Sequence, residues 1–158
     1  DTRQRVNLTE ARLNQLTAIA FKDLPLKDAI TTVRGNGSRK IAVFSDPNCG
    51  FCKRLERDLL KLNDVTVYTF VVAMLGPDSQ TKARNIWCAA KPAEAYNDWM
   101  LDGQTPPTQN CDTAALTRNL AFAQKHRING TPTSFLADGT RIAGADIKAI
   151  ERGLAAQK

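Results

Sequence analysis

Cys49-Gly50-Phe51-Cys52 is the stretch of this 158-residue chain where residue type and spacing imply chemistry most directly. Two cysteines with two residues between them can form a bridge, share a metal or exchange disulfides. The context decides which. Backbone N–H groups in the first turn of a helix have no intrahelical partner, and with the positive end of the helix dipole they stabilise a thiolate over a thiol. If a helix starts here, Cys49 becomes an exposed attacking thiol. Cys52, one turn later and further inside, becomes the thiol that resolves the mixed disulfide. A metal reading would join this pair to Cys88 and Cys111 as a four-thiolate zinc site. The second pair lacks the tight spacing of a zinc ribbon or finger.

The flanking residues supply that context. Lys40 to Asp46 contains Ile41, Val43 and Phe44, β-branched and aromatic residues that favour a buried strand. From Lys53 to Leu62 the pattern is helical, with Phe51, Leu55, Leu59 and Leu62 on one apolar face. The cysteines therefore stand at a strand–turn–helix junction. Val65 to Val72 is the clearest strand, and a strand–helix–strand start implies a parallel pair with a right-handed crossover.

Further along, Gly76-Pro77-Asp78-Ser79 is a turn, with Ser79 a candidate cap for a helix over residues 80–90. A second short helix follows over Ala93–Leu101, with Tyr96, Trp99 and Met100 as core. Residues 103–111 form a Pro-rich loop, and Asp112 or Thr113 opens a helix to about Arg127 with Leu116, Leu120 and Ala123 inward. Asp138-Gly139 signals a hairpin between Ser134–Ala137 and Thr140–Ala143, and Asp146–Ala156 is a closing helix. At the other end, Leu8, Leu13, Leu16, Ile19 and Ala20 form a helical stripe that Pro25 breaks. Ala29, Ile30 and Val33 are a brief apolar patch before the Gly35-Asn36-Gly37-Ser38 turn. This N-terminal helix reads as a connector to something upstream.

Composition sets the outer bounds. A hydrophobic content of 42% supports one cored domain. No apolar run approaches the ~18 residues of a membrane span. The net charge of +6 comes from lysine and arginine interspersed with acids, a solvated surface rather than a nucleic-acid footprint. Four cysteines suit an oxidising compartment. Asp1 is not a natural start, so a mature or trimmed chain is expected.

The run Phe44-Ser45-Asp46-Pro47-Asn48-Cys49-Gly50-Phe51-Cys52 ahead of a helix, with Gly130-Thr131-Pro132 far downstream, resembles a thioredoxin fold. More narrowly it is similar to the catalytic domain of bacterial periplasmic protein-disulfide isomerases of the DsbC/DsbG type. The resemblance covers roughly residues 38–156, including the helical insertion and the Ile86-Trp87-Cys88 segment, and Asn7-Leu8-Thr9-Glu10 resembles the family's linker. Gly-Phe stands between the cysteines where the isomerases more typically carry Gly-Tyr and the oxidase relatives Pro-His.

The resemblance implies an α/β thioredoxin-like fold with a helical insertion, preceded by a linker helix. Residues 1–37 would be a linker region below a missing upstream dimerisation domain, and residues 38–158 the catalytic domain. Cys49 and Cys52 would be the redox pair. Thr131 and Pro132 would form a cis bond facing it, so that the Thr131 backbone binds substrate peptide as a strand would, with Phe51 adding apolar contact. Cys88 and Cys111 correspond to the family's structural disulfide, which by chain entropy contributes on the order of 3 kcal/mol; two buried free thiols is the alternative. No metal or organic cofactor is needed. Expected partners are unfolded or misdisulfided polypeptides and a membrane thiol reductase of the DsbD type as electron donor. The implied location is the periplasm. The full-length protein would be a homodimer, which leaves a monomer open for the present chain, and no nucleic acid is expected. The expected activity is disulfide isomerisation. The alternatives are a thiol oxidase or reductase on the same fold, and a non-enzymatic chaperone-like binding module.

Four ionisable residues invite assignment. Asp46 could tune the thiols or accept a proton, or cap the turn before the helix. Lys53 and Arg54 could make the cysteines' surroundings electropositive or be solvated helix residues. His126 reads as a residue at a helix C-terminus rather than a catalytic base.

Overall fold

The computed structural model describes residues 17–157. A five-stranded sheet forms the centre, with strands β1 (Ile30–Arg34), β2 (Arg39–Ser45), β3 (Val65–Val71), β4 (Thr133–Leu136) and β5 (Arg141–Ala143) in the order β1-β3-β2-β4-β5. β2 and β3 run parallel, with Ile41 opposite Val67 and Phe44 opposite Phe70. The β1–β3, β2–β4 and β4–β5 pairs are antiparallel. Helix α1 (Gly50–Leu59) makes the crossover between the parallel strands. Helices α2 (Pro77–Trp87), α3 (Pro92–Asp102) and α4 (Ala114–Lys125) lie between β3 and β4, and α5 (Ile147–Ala155) closes the chain. The first two of these, with the Pro-rich loop, are the expected helical insertion.

Strand alternation sends odd and even residues to opposite faces. On one face Ile41, Val43, Val65 and Val67 pack with Leu55 and Leu59 of α1 and Ile150 and Leu154 of α5. On the other, Ala42, Phe44, Phe70 and Phe135 pack with Ala123 of α4 and with Ile19 and Leu24. Phe44 is the hub of that face: it stacks on Phe70 at 4.7 Å and meets Phe135 edge-on at 5.9 Å. A third cluster joins Cys49 and Cys52 to Val71, Ala83, Ile86, Tyr96 and Met100, so the insertion is packed directly on the cysteines.

Several sequence expectations change. Ile30–Arg34, within the 1–37 stretch assigned to a linker, is an edge strand of the sheet. Burial alternates along this edge strand, but Val33 stands on the exposed side while Thr32 and Arg34 stand on the inward one, so the sequence shows no apolar alternation. Gly35 turns β1 toward β2 at φ 59°, and a Cβ there would meet the Asp64 backbone N at 2.9 Å. The connector reading also changes at its C-terminal end. Ile19 and Leu24 are core residues, and the Ile19 N–H donates to the Gly139 carbonyl at 3.1 Å. The rest of the expected N-terminal helix falls on residues 1–16, outside the described residues. Ser79 does not cap α2. Gly76 holds that position with Pro77 after it, and the Ser79 hydroxyl turns inward to Asp46. Ala115, Asn119 and Ala123 are the buried positions of α4, leaving Leu116 and Leu120 half-buried.

Candidate active site

Cys49 is the N-cap of α1, and its sulfur accepts the Cys52 backbone N–H at 3.3 Å. Both cysteines are free thiols. Neither is widely exposed: Cys49 retains 8% of its surface and Cys52 1%. The expected exposed attacker is therefore a nearly buried sulfur, which shares a core cluster with Tyr96, Ala83 and Ile86 of the insertion. The order of access is as expected, with Cys49 outside and Cys52 inside. Burial pushes the Cys52 thiol up to about 12, and the hydrogen bond with Cys49 acts in the same direction. Hydrogen bonds from Thr131, the Asp46 backbone and Ser45 oppose the rise. Cys52 is thus held as a thiol until its surroundings change.

The Thr131–Pro132 peptide is cis. The Cys49 thiol donates to the Thr131 carbonyl at 3.4 Å, so residues 82 apart in sequence meet at the reactive sulfur. Pro132 is anchored in turn, its carbonyl accepting the Gly144 N–H at 2.8 Å. Phe51 does not join the apolar face of α1. It points outward with 64% of its surface exposed, and the inward positions are Cys52, Leu55, Glu56 and Leu59. Leu75 is 57% exposed on the loop after β3.

Asp46 proves to be a clasp. Fully buried, it accepts the Asn48 N–H at 2.8 Å and the Ser79 hydroxyl at 2.8 Å on one oxygen. The other oxygen takes the Met74 and Leu75 N–H groups at 2.6 and 3.0 Å. The capping reading holds at Asn48, and the side chain goes further: it organises the turn before Cys49 and ties it to the start of α2. Trp99 supports the same turn, its indole N–H donating to the Pro47 carbonyl at 2.6 Å. The ammonium groups of Lys53 and Lys82 each stand 4.5 Å from the centre of that indole ring. Lys53 therefore packs on the insertion, while Arg54 is exposed. His126 follows α4, its ring tilted against that of Phe122 with centroids 4.3 Å apart, outside the site. Burial, then Lys125 and Arg141, lower its pKa, which is opposite to a helix-end cation.

Cys88, the residue after α2, and Cys111 are joined by a disulfide with Cα atoms 5.5 Å apart. That bond removes both from any four-thiolate arrangement with Cys49 and Cys52. Sequence reasoning missed Glu56, which shares the buried side of α1 with Cys52, and took Tyr96 for core alone, although its hydroxyl meets the Ser45 hydroxyl at 2.7 Å in the cluster that holds Cys52. Only an acid at an inward position of the α1 pattern, four residues after Cys52, could have signalled this group.

Comparison with known proteins agrees with this geometry. Residues 26–150 match the thioredoxin-like domain. The chain is 46% identical over 145 residues to a probable thiol:disulfide interchange protein DsbC of Bordetella pertussis, covering 92% of this chain and 52% of that protein. It is 27% identical over 144 residues to DsbC of Escherichia coli, covering 88% of this chain and 58% of the relative. The present chain thus spans about half the length of these relatives. A solved disulfide interchange protein from Neisseria gonorrhoeae superposes with a TM-score of 0.77 at 38% identity, over 83% of this chain and 99% of that one. The chain belongs to the thioredoxin-like domain family, and within it is similar to thiol:disulfide interchange proteins.

Proposed function

We propose that this chain carries the redox site of a periplasmic protein disulfide isomerase. The observation that carries the reading is the meeting of two free thiols at the start of α1 with the Thr131 carbonyl, 3.4 Å from the Cys49 sulfur. The Cys49 thiolate attacks a wrong disulfide in a substrate polypeptide. A Cys49–substrate disulfide forms, and one substrate sulfur leaves as a thiolate. That freed thiolate can attack elsewhere in the substrate and return Cys49, which completes an isomerisation without net oxidation. Alternatively Cys52 attacks Cys49, closing a Cys49–Cys52 disulfide and releasing a second substrate thiol. Two electrons from a thiol reductase, a membrane protein of the DsbD type, then restore the dithiol. Negative charge on Cys49 as it leaves is met by the Cys52 N–H.

Substrates are unfolded or misdisulfided polypeptides. Phe51, two residues after Cys49, offers exposed apolar contact, Leu75 adds a second exposed apolar side chain on the loop that Asp46 holds, and the backbone at Thr131 offers polar contact. Homodimerisation, through residues upstream of this chain, belongs to the same proposal. So does the linker role of the first residues.

The exposed Phe51 and Leu75 also fit a second reading, a chaperone-like module that binds without exchange. The two readings part in one experiment. Cys49→Ala is compared with the unchanged protein for recovery of activity from a scrambled disulfide substrate and for suppression of aggregation of a reduced, unfolded one. Loss of the first with retention of the second supports exchange on a binding surface. Equal recovery by both proteins overturns the enzymatic reading.

A further inference from the structure

Surface charge on α1 differs from that on the neighbouring helices. The ion pairs among the described residues are Lys82 with Asp78 on α2, Lys91 with Glu94 at the start of α3, and Arg118 of α4 with Asp28. On α1, Lys53, Arg54 and Arg57 have no ion pair among the described residues. Glu56, which lies between them in sequence, is 4% exposed and turns to the buried side of the helix. The other acid of α1, Asp58, is half-buried. Like charges on adjacent turns repel, so a merely solvated face would alternate its signs.

The cations are ordered around the reactive sulfur. Helical spacing puts Cys49, Lys53 and Arg57 on one stripe, at i, i+4 and i+8, with Arg54 beside it in the exposed centre of the face. Phe51 stands on the opposite border of that face, 64% exposed. Lys53 is held in place. Its ammonium lies 4.5 Å from the centre of the Trp99 ring, and the Trp99 N–H bonds the carbonyl of Pro47, two residues before Cys49. Lys82 approaches the same ring at the same distance, so two ammonium groups meet one indole. Asp78 answers Lys82 at 2.7 Å, and the same oxygen accepts the Asn48 amide. The Asp46 carboxylate is buried and taken up by four donors. The positive end of the α1 dipole has the same sign as the lysine and arginines. Beside Cys49 the surface therefore carries surplus positive charge, bordered by an exposed aromatic ring.

We propose that this face of α1 receives the substrate polypeptide and selects segments that carry acidic side chains beside the reacting cysteine. The inference rests on the exchange reading above and narrows its substrate class. From Cys49 to Arg57 the helix rises about 12 Å, a length that three or four residues of extended chain cover. A carboxylate within that reach of the substrate sulfur meets Lys53, Arg54 or Arg57, and an apolar neighbour meets Phe51. Lysine-flanked segments meet the same cations as like charges. The contact lies at the surface, so it acts mainly on the encounter and weakens as salt screens it.

The test uses two peptides that differ only beside a single cysteine, one with glutamates and one with lysines. Each is joined through that cysteine to 5-thio-2-nitrobenzoate as a mixed disulfide. The Cys49 thiolate bonds to the peptide sulfur, the peptide–aryl S–S bond breaks, and the coloured aryl thiolate leaves with the electron pair. Stopped-flow absorbance then gives a second-order rate for each peptide. At low ionic strength the reduced protein should take the acidic peptide faster. Lys53→Gln/Arg54→Gln/Arg57→Gln should lower the acidic-to-basic rate ratio on the order of tenfold. Lys53→Arg/Arg54→Lys/Arg57→Lys keeps the charges and should keep the ratio. Salt at about 0.5 M should shrink the ratio of the unchanged protein. Both peptides meet the same sulfur, so a purely structural change at Cys49 alters both rates and cancels in the ratio. A ratio unchanged in the glutamine variant, or one that falls as far in the charge-retaining variant, overturns the acidic-segment reading while leaving exchange intact. If neither peptide releases aryl thiolate from the unchanged protein, exchange fails and this inference with it.

Discussion

Cys88 and Cys111 stand 23 residues apart and are bonded, one just past the end of α2 and the other in an exposed stretch before α4. Cys49 and Cys52 stand three apart and are free, at the buried start of α1. The residue type is the same, so the difference lies in what each sulfur meets. The first pair ties the polar, Pro-rich stretch after α3 back to the end of α2, and its work ends when the bond forms. The second pair is surrounded by groups that each favour a different state. The Cys52 N–H faces the Cys49 sulfur, the Thr131 carbonyl accepts its proton, and desolvation keeps Cys52 protonated. A bond between these two sulfurs is one state among several rather than an end point. Reactivity here comes from competing partners.

The comparison is broken most completely by Cys49→Ser, which should reduce exchange with a small disulfide at least ~1000-fold, the oxygen being a far weaker nucleophile near neutral pH. Cys88→Ala/Cys111→Ala should leave exchange measurable in the same assay.

Asp46→Ala comes next. It orphans the Asn48, Met74 and Leu75 N–H groups and the Ser79 hydroxyl at a buried position, and should cost roughly 4 kcal/mol in denaturant unfolding. It should also slow exchange, since the turn carrying Cys49 loses its tie to α2.

Glu56 gives a pH test whose sign is fixed. Burial raises its carboxyl from the ordinary 4.5 to about 7, so between those values the folded protein holds a proton that the unfolded chain has released. Stability from this group is complete below pH 4.5 and is lost as the pH rises toward 7, by roughly 3 kcal/mol. Glu56→Gln should flatten that decline, measured as unfolding free energy at pH 4.5 and pH 8. A wild-type curve that rises over this range contradicts the burial argument.

An effect of similar size belongs to the second cysteine pair. Cys88→Ala/Cys111→Ala should lower stability by about 3 kcal/mol, by the entropy of the loop it closes. It should leave the sheet intact, as read by far-ultraviolet circular dichroism.

The sequence made the central part of the fold legible because the signals there are local. Ile41 to Phe44 read as a strand, Leu55 and Leu59 as a helix face, and the alternation of Val65, Val67 and Phe70 as a second strand. The edge strand Ile30–Arg34 was not legible, since Val33 faces outward while Thr32 and Arg34 face inward, against the burial alternation. Phe51 fitted the apolar spacing of α1, yet α1 begins at Gly50 and its first turn faces solvent on that side. Ser79 looked like a cap, and its role as an Asp46 donor depends on a contact 33 residues away. The cysteines could be found by spacing. The roles of Ser45, Glu56 and Tyr96 could not, because these residues come from three separate elements and acquire meaning only through burial.

The central claim is that Cys49 and Cys52 are the exchanging pair while Cys88 and Cys111 are not. A glutathione redox titration from metal-free protein, read by mass after thiol labelling with each cysteine assigned, tests it most directly. Cys49 and Cys52 should lose label together, in one two-electron transition at about −200 to −120 mV, well above the roughly −270 mV of thioredoxin. Cys88 and Cys111 should stay unlabelled throughout. A pair at 49 and 52 that does not titrate, or a transition located at 88 and 111 instead, contradicts the account.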